Sequence, residues 1–376
     1  MKILLIGNFA VKYRGSFISE YLVGKQIAFY HIDKKRHLKK AGKGLHYKIY
    51  RRLYNYFVQL ITFLRELYLI LWADNVYILP MNNDSVLRLR LIKLFNKKLV
   101  VDFYVSEYDT YVNDRKTVAA GSKKAEKLKK LDALAMRLGD KVLFLNRNEK
   151  AYYTRVVGIE NTINDSIVPL AIPERPFAVL PWYHQKTGRP TICWWGSFLN
   201  LHGLETMIDG IELLYKKGFQ ASFHFFGVPN HREAYYRSLI EKKGLSDYIT
   251  LRTDLNFENG LIEFLTRNCD LALGQFGTNA KASNVLVNKI VDATAMQLPV
   301  LTRPNPAVKE FFDETSLYFA EPTPESFASK IETIFSKSNR EKAKEVAQKG
   351  RIVYNNNFTP ERFQQTLEKI LISLNG

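Results

Sequence analysis

The chain has 376 residues, enough for two domains with full cores. An apolar fraction of 46% with 13% aromatics excludes a disordered chain. The formal net charge of +18, from 55 basic against 37 acidic side chains, suits a polyanion: nucleic acid, nucleotide phosphate or an anionic membrane face.

The opening apolar run, residues 3–7, is too short for a signal peptide and reads as a buried first strand, which implies a cytoplasmic protein. Gly7-Asn8-Phe9 and Arg14-Gly15-Ser16 are expected to form a loop before a helix near residues 17–22. Glycines after a first strand let backbone approach a ligand, so Gly15 is a cleft candidate, although no G-x-G-x-x-G or Walker A pattern occurs. Residues 34–52 then hold nine Lys or Arg and no acid, and aromatic and aliphatic residues follow at helical intervals up to residue 68. Arg65 and Glu66 interrupt the apolar run and argue against a membrane-spanning helix. The segment 34–72 is either a helix packed on the sheet with a solvated basic start, or an interfacial element. At roughly 1 kcal/mol per basic residue near an anionic leaflet, such a cluster supplies useful binding.

Strands are expected at residues 76–79, 99–104 and 141–146, and helices at 123–138 and 149–157. Asp109 and Asp114 follow the strand at 99–104. They face the crevice beyond its carboxyl end, where α/β sheets bind ligands, or they cap the next helix. Five of the 13 prolines fall within residues 169–190, which places the linker there. The domains are then 1–172 and 173–357, with a last segment, 358–376, whose helix crosses back to the first domain.

Beyond the linker, strands at residues 223–227, 249–252 and 271–275 alternate with helices at 233–243 and 261–268, the rhythm of a doubly wound parallel sheet. Cys193 and Cys269 have no C-x-x-C spacing and read as core thiols. In residues 284–304 a helix carries Lys289 and Asp292 in its first turn, stops at Leu298-Pro299, and leads into a short strand. A lysine at a helix start adds its charge to unpaired backbone N–H groups, which suits a phosphate; the acid one turn on lies on the same face and suits a sugar's hydroxyls. The plainer reading is capping and solvation.

The pattern N-K-x-x-D-A-x-A-x-x-x-P-V, residues 288–300, resembles the donor-binding signature of family 4 (group 1) glycosyltransferases. That family has the GT-B fold, in which two doubly wound, Rossmann-like parallel-sheet domains face across a cleft. It usually shows K-x-x-E-A-x-A-x-G-x-P-V with a second acid eight positions before the Glu. Here Asp292 stands for the Glu, Asn284 for the earlier acid and Gln297 for the Gly. Residues 196–203 are similar to the family's G-R-L-x-x-x-K-G, keeping Gly196 and Gly203 but with Ser197 for the Arg and His202 for the Lys.

The resemblance implies a retaining, hexosyltransferase-type enzyme that moves a sugar from a nucleotide-sugar to a glycan, a lipid-linked one being preferred. Donor-binding positions would be Gly196, Ser197, His202, Gly227, Thr253, Asn284, Lys289 and Asp292. Catalytic positions would be Asp109, His202 and Lys289, and the acceptor side would hold Gly15, Asp109 and Asp114. The family often places a His in its first domain near residue 109, and none occurs here between His46 and His184. With no D-x-D motif, neither a metal nor another cofactor is expected. The expected location is peripheral, at the inner face of the cell membrane. A non-catalytic scaffold binding glycan, membrane or a partner enzyme is the alternative. No zinc-finger, RRM or KH signature supports a nucleic-acid partner.

Overall fold

The computed structural model describes residues 1–9, 12–32, 45–83, 89–159, 163–184 and 188–374. Two six-stranded parallel sheets organise them. The first holds β1 (Lys2–Ile6), β2 (Ala28–Ile32), β3 (Asn75–Ile78), β4 (Lys98–Asp102), β5 (Lys141–Phe144) and β6 (Asp165–Ile167) in the order β2-β1-β3-β4-β5-β6. Its inner strands are apolar runs because helices cover both faces. The second holds β7 (Thr191–Ser197), β8 (Ser222–Val228), β9 (Ile249–Arg252), β10 (Leu271–Leu273), β11 (Val300–Thr302) and β12 (Tyr318–Phe319). Its order, β12-β11-β10-β7-β8-β9, is that of the doubly wound dinucleotide-binding fold and reverses between β7 and β10. Ligands in such sheets bind beyond the strand ends at that reversal.

The helix Lys12–Gly24 starts earlier than the sequence suggested, so Arg14, Gly15 and Ser16 lie on it and not in a loop. Arg14 is the cause: it points inward, where its Nε bonds Asp102 at 2.7 Å at the end of β4. The helix Lys123–Leu138 is capped by Ser122, whose hydroxyl accepts from the Ala125 amide at 3.2 Å. Capping by Asp109 or Asp114 is therefore overturned; both lie in a separate π-helical turn, Asp109–Asp114. The final helix, Pro360–Ser373, places Phe363, Leu367 and Ile370 in one core cluster with Ile3, Leu5, Phe17 and Ile18 of the first domain.

The helix Leu45–Trp72 covers the aromatic part of the basic segment; residues 34–44 lie outside the described residues. It buries Glu66, Leu69 and Ile70 and turns Phe57, Ile61, Leu64, Tyr68 and Leu71 outward, each 50% to 65% exposed. Among the described residues no helix is long and apolar enough to cross a membrane.

Candidate functional site

The two sheets point their carboxyl ends at one another, and between them lies a cleft of about 420 Å³. Tyr13, Tyr104 and Glu149 line it from the first domain; Gly196, His202, Lys289 and Asp292 line it from the second. Ligand sites of this size are common at domain interfaces.

Three of the sequence candidates converge at the end of β7. A Cβ placed on Gly196 would sit 3.2 Å from Lys289 Nζ and 3.6 Å from His202 Nε2, so the bare glycine leaves room between strand end and cation. Gly196 also has φ +141°, a conformation that other residues rarely adopt. Gly203 has φ +64°, and a Cβ placed on it would fall 2.2 Å from the Phe276 backbone, so glycine lets the two loops close beside His202. Lys289 Nζ lies 4.2 Å from the centroid of the Trp194 ring and has no hydrogen-bond partner, though it is buried. Burial holds its pKa well below the usual lysine value. Burial, and then the neighbouring Lys289, push the His202 imidazole well below its usual value too, and its Nδ1 also lacks a partner. An unpaired buried polar group costs about 1–3 kcal/mol, so this corner is poised for an anion.

Asp292, a turn further along the helix Asn288–Ala295, also lines the cleft. Arg175 of the linker donates to its Oδ1 from Nη2 at 3.1 Å and from Nε at 3.4 Å. Burial pushes this carboxyl up to about 6, against the pull of Arg175. Gln297 keeps the left-handed turn at which the family has Gly, with φ +58°.

The remaining candidates stand off the cleft wall. Ser197 is half-buried one residue beyond Gly196, and Thr253 half-buried just after β9. Asn284 donates its amide to the Ala280 carbonyl at 2.7 Å. Gly227 lies directly under the Phe198 ring, and Gly15 under Phe9. Asp109 is fully buried and accepts from the Tyr152 hydroxyl at 2.6 Å. Lys281 of the second domain approaches Asp109 at 3.5 Å and Asp114 at 4.0 Å, and donates to Thr110 Oγ1 at 2.8 Å. Asp109 and Asp114 thus meet the cleft through Lys281, which lines it.

Sequence reasoning missed Arg175 and the cleft role of Glu149. The Asn146 side chain caps the helix by accepting from the Glu149 amide at 2.7 Å and donates to Glu149 Oε1 at 2.7 Å, and that oxygen also accepts from the Leu286 amide across the interface at 3.1 Å. Burial raises this carboxyl to about 7. The N-x-x-E spacing at 146–149 was a visible signal for the cap, though not for the contact with the opposite domain. Glu310 has a similar position: its carboxylate accepts from the Arg147 and Asn148 amides at 3.0 and 3.3 Å, at the start of the helix Arg147–Val157.

The fold and site define a GT-B architecture, two Rossmann-like domains across a ligand cleft. Residues 189–337 match the model of the family described as glycosyl transferases group 1, in agreement with the resemblance read from residues 196–203 and 288–300. No curated protein matches the chain by sequence. Sucrose-phosphate synthase from Thermosynechococcus elongatus is similar in structure, with TM-score 0.75 and 13% identity over 100% of this chain and 99% of that one. HepE of Anabaena in complex with UDP gives 0.68 and 13% over 99% and 100%, and a glycosyltransferase from Rickettsia africae gives 0.64 and 14% over 99% and 98%.

Proposed function

We propose that the chain is a retaining glycosyltransferase that moves a hexosyl group, without a metal, from a nucleotide-sugar to a glycan of the lipid-linked class. One observation carries the reading: a buried, unpartnered Lys289 side-chain nitrogen beside His202 and the bare end of β7. As the bond from sugar carbon to diphosphate oxygen breaks, negative charge builds on the departing diphosphate. Lys289, with His202 and the backbone at Gly196 and Ser197, stabilises that charge. Asp292, which lines the cleft, takes the ribose hydroxyls. Asp109 and Asp114 act on the acceptor side through Lys281. HepE was solved with UDP, with UDP and glucose, and with UDP-glucose, so uridine donors are the first to screen. The test is release of nucleoside diphosphate with and without a lipid-extract acceptor. Lys289→Ala is expected to lower transfer at least ~100-fold; unchanged turnover removes Lys289 from the mechanism.

The lipid-linked class, and a peripheral place at the inner membrane face, rest on the outward side of the helix Leu45–Trp72. Its exposed apolar residues, Phe57, Ile61, Leu64, Tyr68 and Leu71 among them, follow a stretch of nine basic residues with no acid. Flotation with anionic phosphatidylglycerol vesicles but not with phosphatidylcholine is the expected result, abolished by Ile61→Glu with Leu64→Glu. Equal recovery with both lipids, or a dimer that this pair of changes dissociates, rejects the membrane assignment.

A binding scaffold is the second reading, favoured by the ion pair that engages Asp292 with Arg175. No thermal shift with UDP, GDP or their sugars would select it.

A further inference from the structure

Arg175 belongs to none of the motifs, yet it reaches the cleft from the linker. Its guanidinium lies 5.3 Å from the centroid of the Tyr13 ring and 5.2 Å from that of Phe257, two aromatics that line the cleft. Nη2 donates to the Tyr13 hydroxyl at 3.1 Å, and both bonds to Asp292 go to the same oxygen, Oδ1. Only 7% of the Arg175 side chain and 5% of that of Asp292 are exposed, so neither moves freely. A cation held by two rings and a phenol is a rigid support. Asp is also one methylene shorter than the Glu usual at this position, so its reach depends on what fixes it.

We propose that Arg175 is a positioning residue for the donor: it clamps Oδ1 of Asp292 and leaves the other carboxylate oxygen to accept from the ribose hydroxyls of a nucleoside diphosphate. The proposal rests on the transferase reading above and assigns to it a residue outside the family's motifs. It also gives Tyr13 of the first domain a share in donor recognition, through Arg175. The charged groups around Asp292 are few. Among the described residues Arg175 is the charged group paired with Asp292; Lys289 lies a turn earlier on the same helix, and Arg351 bonds the Ala295 carbonyl at that helix's end and lies 3.6 Å from Glu174. Burial raises the Asp292 carboxyl, and Arg175 is the group that opposes it. Losing Arg175 therefore moves ionisation of Asp292 to higher pH.

The test compares wild type with R175Q, R175K and Y13F, each titrated calorimetrically with UDP and with 2′,3′-dideoxy-UDP. R175Q is expected to weaken UDP about tenfold, the size of one charge-assisted hydrogen bond, and to leave the dideoxy nucleotide unaffected. R175K recovers part of the loss, and Y13F shows a smaller one. The gap between the two nucleotides opens as Asp292 ionises, and in R175Q it opens at higher pH. Equal losses for both nucleotides, or a gap whose pH dependence does not move, would make Arg175 a structural tie or a phosphate ligand and overturn the proposal alone. Wild-type protein that binds neither of these nor GDP and its 2′,3′-dideoxy form overturns the transferase reading and this proposal with it.

Discussion

Each domain buries a basic side chain beyond its strand ends, and the two are treated oppositely. In the first, Arg14 is bonded to Asp102 at 2.7 Å and to the carbonyls of Val168 and Pro169 at 3.1 and 2.9 Å, under a Tyr77 hydroxyl that shares the same carboxylate. In the second, Lys289 has a ring beneath it and no acceptor. The first arrangement holds the protein together; the second lacks what a ligand would bring. Burial alone does not mark a functional charge. Burial without a partner, at a strand end facing a cleft, does.

Four experiments break or sharpen this contrast. Arg14→Met strands the Asp102 carboxylate and is expected to cost about 3–5 kcal/mol of stability, read as a lowered denaturant midpoint. If the midpoint holds, the pairing is not structural. Lys289→Met should do the reverse, lowering transfer ~100-fold while leaving the midpoint unchanged or raised. A large loss of stability there would show that Lys289 is already satisfied. Third, a diphosphate restores charge to a lysine whose pKa burial has depressed, so binding takes up a proton at any pH between the free and bound values. Titration in buffers of different ionisation enthalpy is expected to show that uptake, with affinity falling as pH rises through the window. The smallest effect is at Gln297, whose left-handed backbone at φ +58° is relieved by Gln297→Gly, a gain of about 1 kcal/mol in thermal unfolding.

The second domain was the more legible in the sequence. Its central strands, its helix with Lys289 and Asp292, and the stop at Leu298-Pro299 are local patterns, and the glycines at 196 and 203 hold backbone shapes that local chemistry requires. The first domain revealed strands more readily than contacts. Edge strands such as β2, with alternate residues exposed, and the three-residue β6 and two-residue β12 carry too little apolar signal to be seen. The start of the first helix was misread because Arg14 and Gly15 look like loop residues until Asp102 supplies a buried partner 88 positions away. Arg175 as a site residue, and the partners of Lys281, were illegible for the same reason. Their roles come from Asp292, 117 positions on, and from Thr110, 171 positions back, and no spacing rule links such pairs.

The return of the helix Pro360–Ser373 to the first domain limits how the molecule can be dissected. A fragment ending at the linker would lack Phe363, Leu367, Ile370 and Leu371, and would present Ile18, Leu22 and their neighbours to water as an uncovered oily face. The first domain is therefore better isolated by joining the last helix to the truncated chain through a flexible tether than by simple truncation.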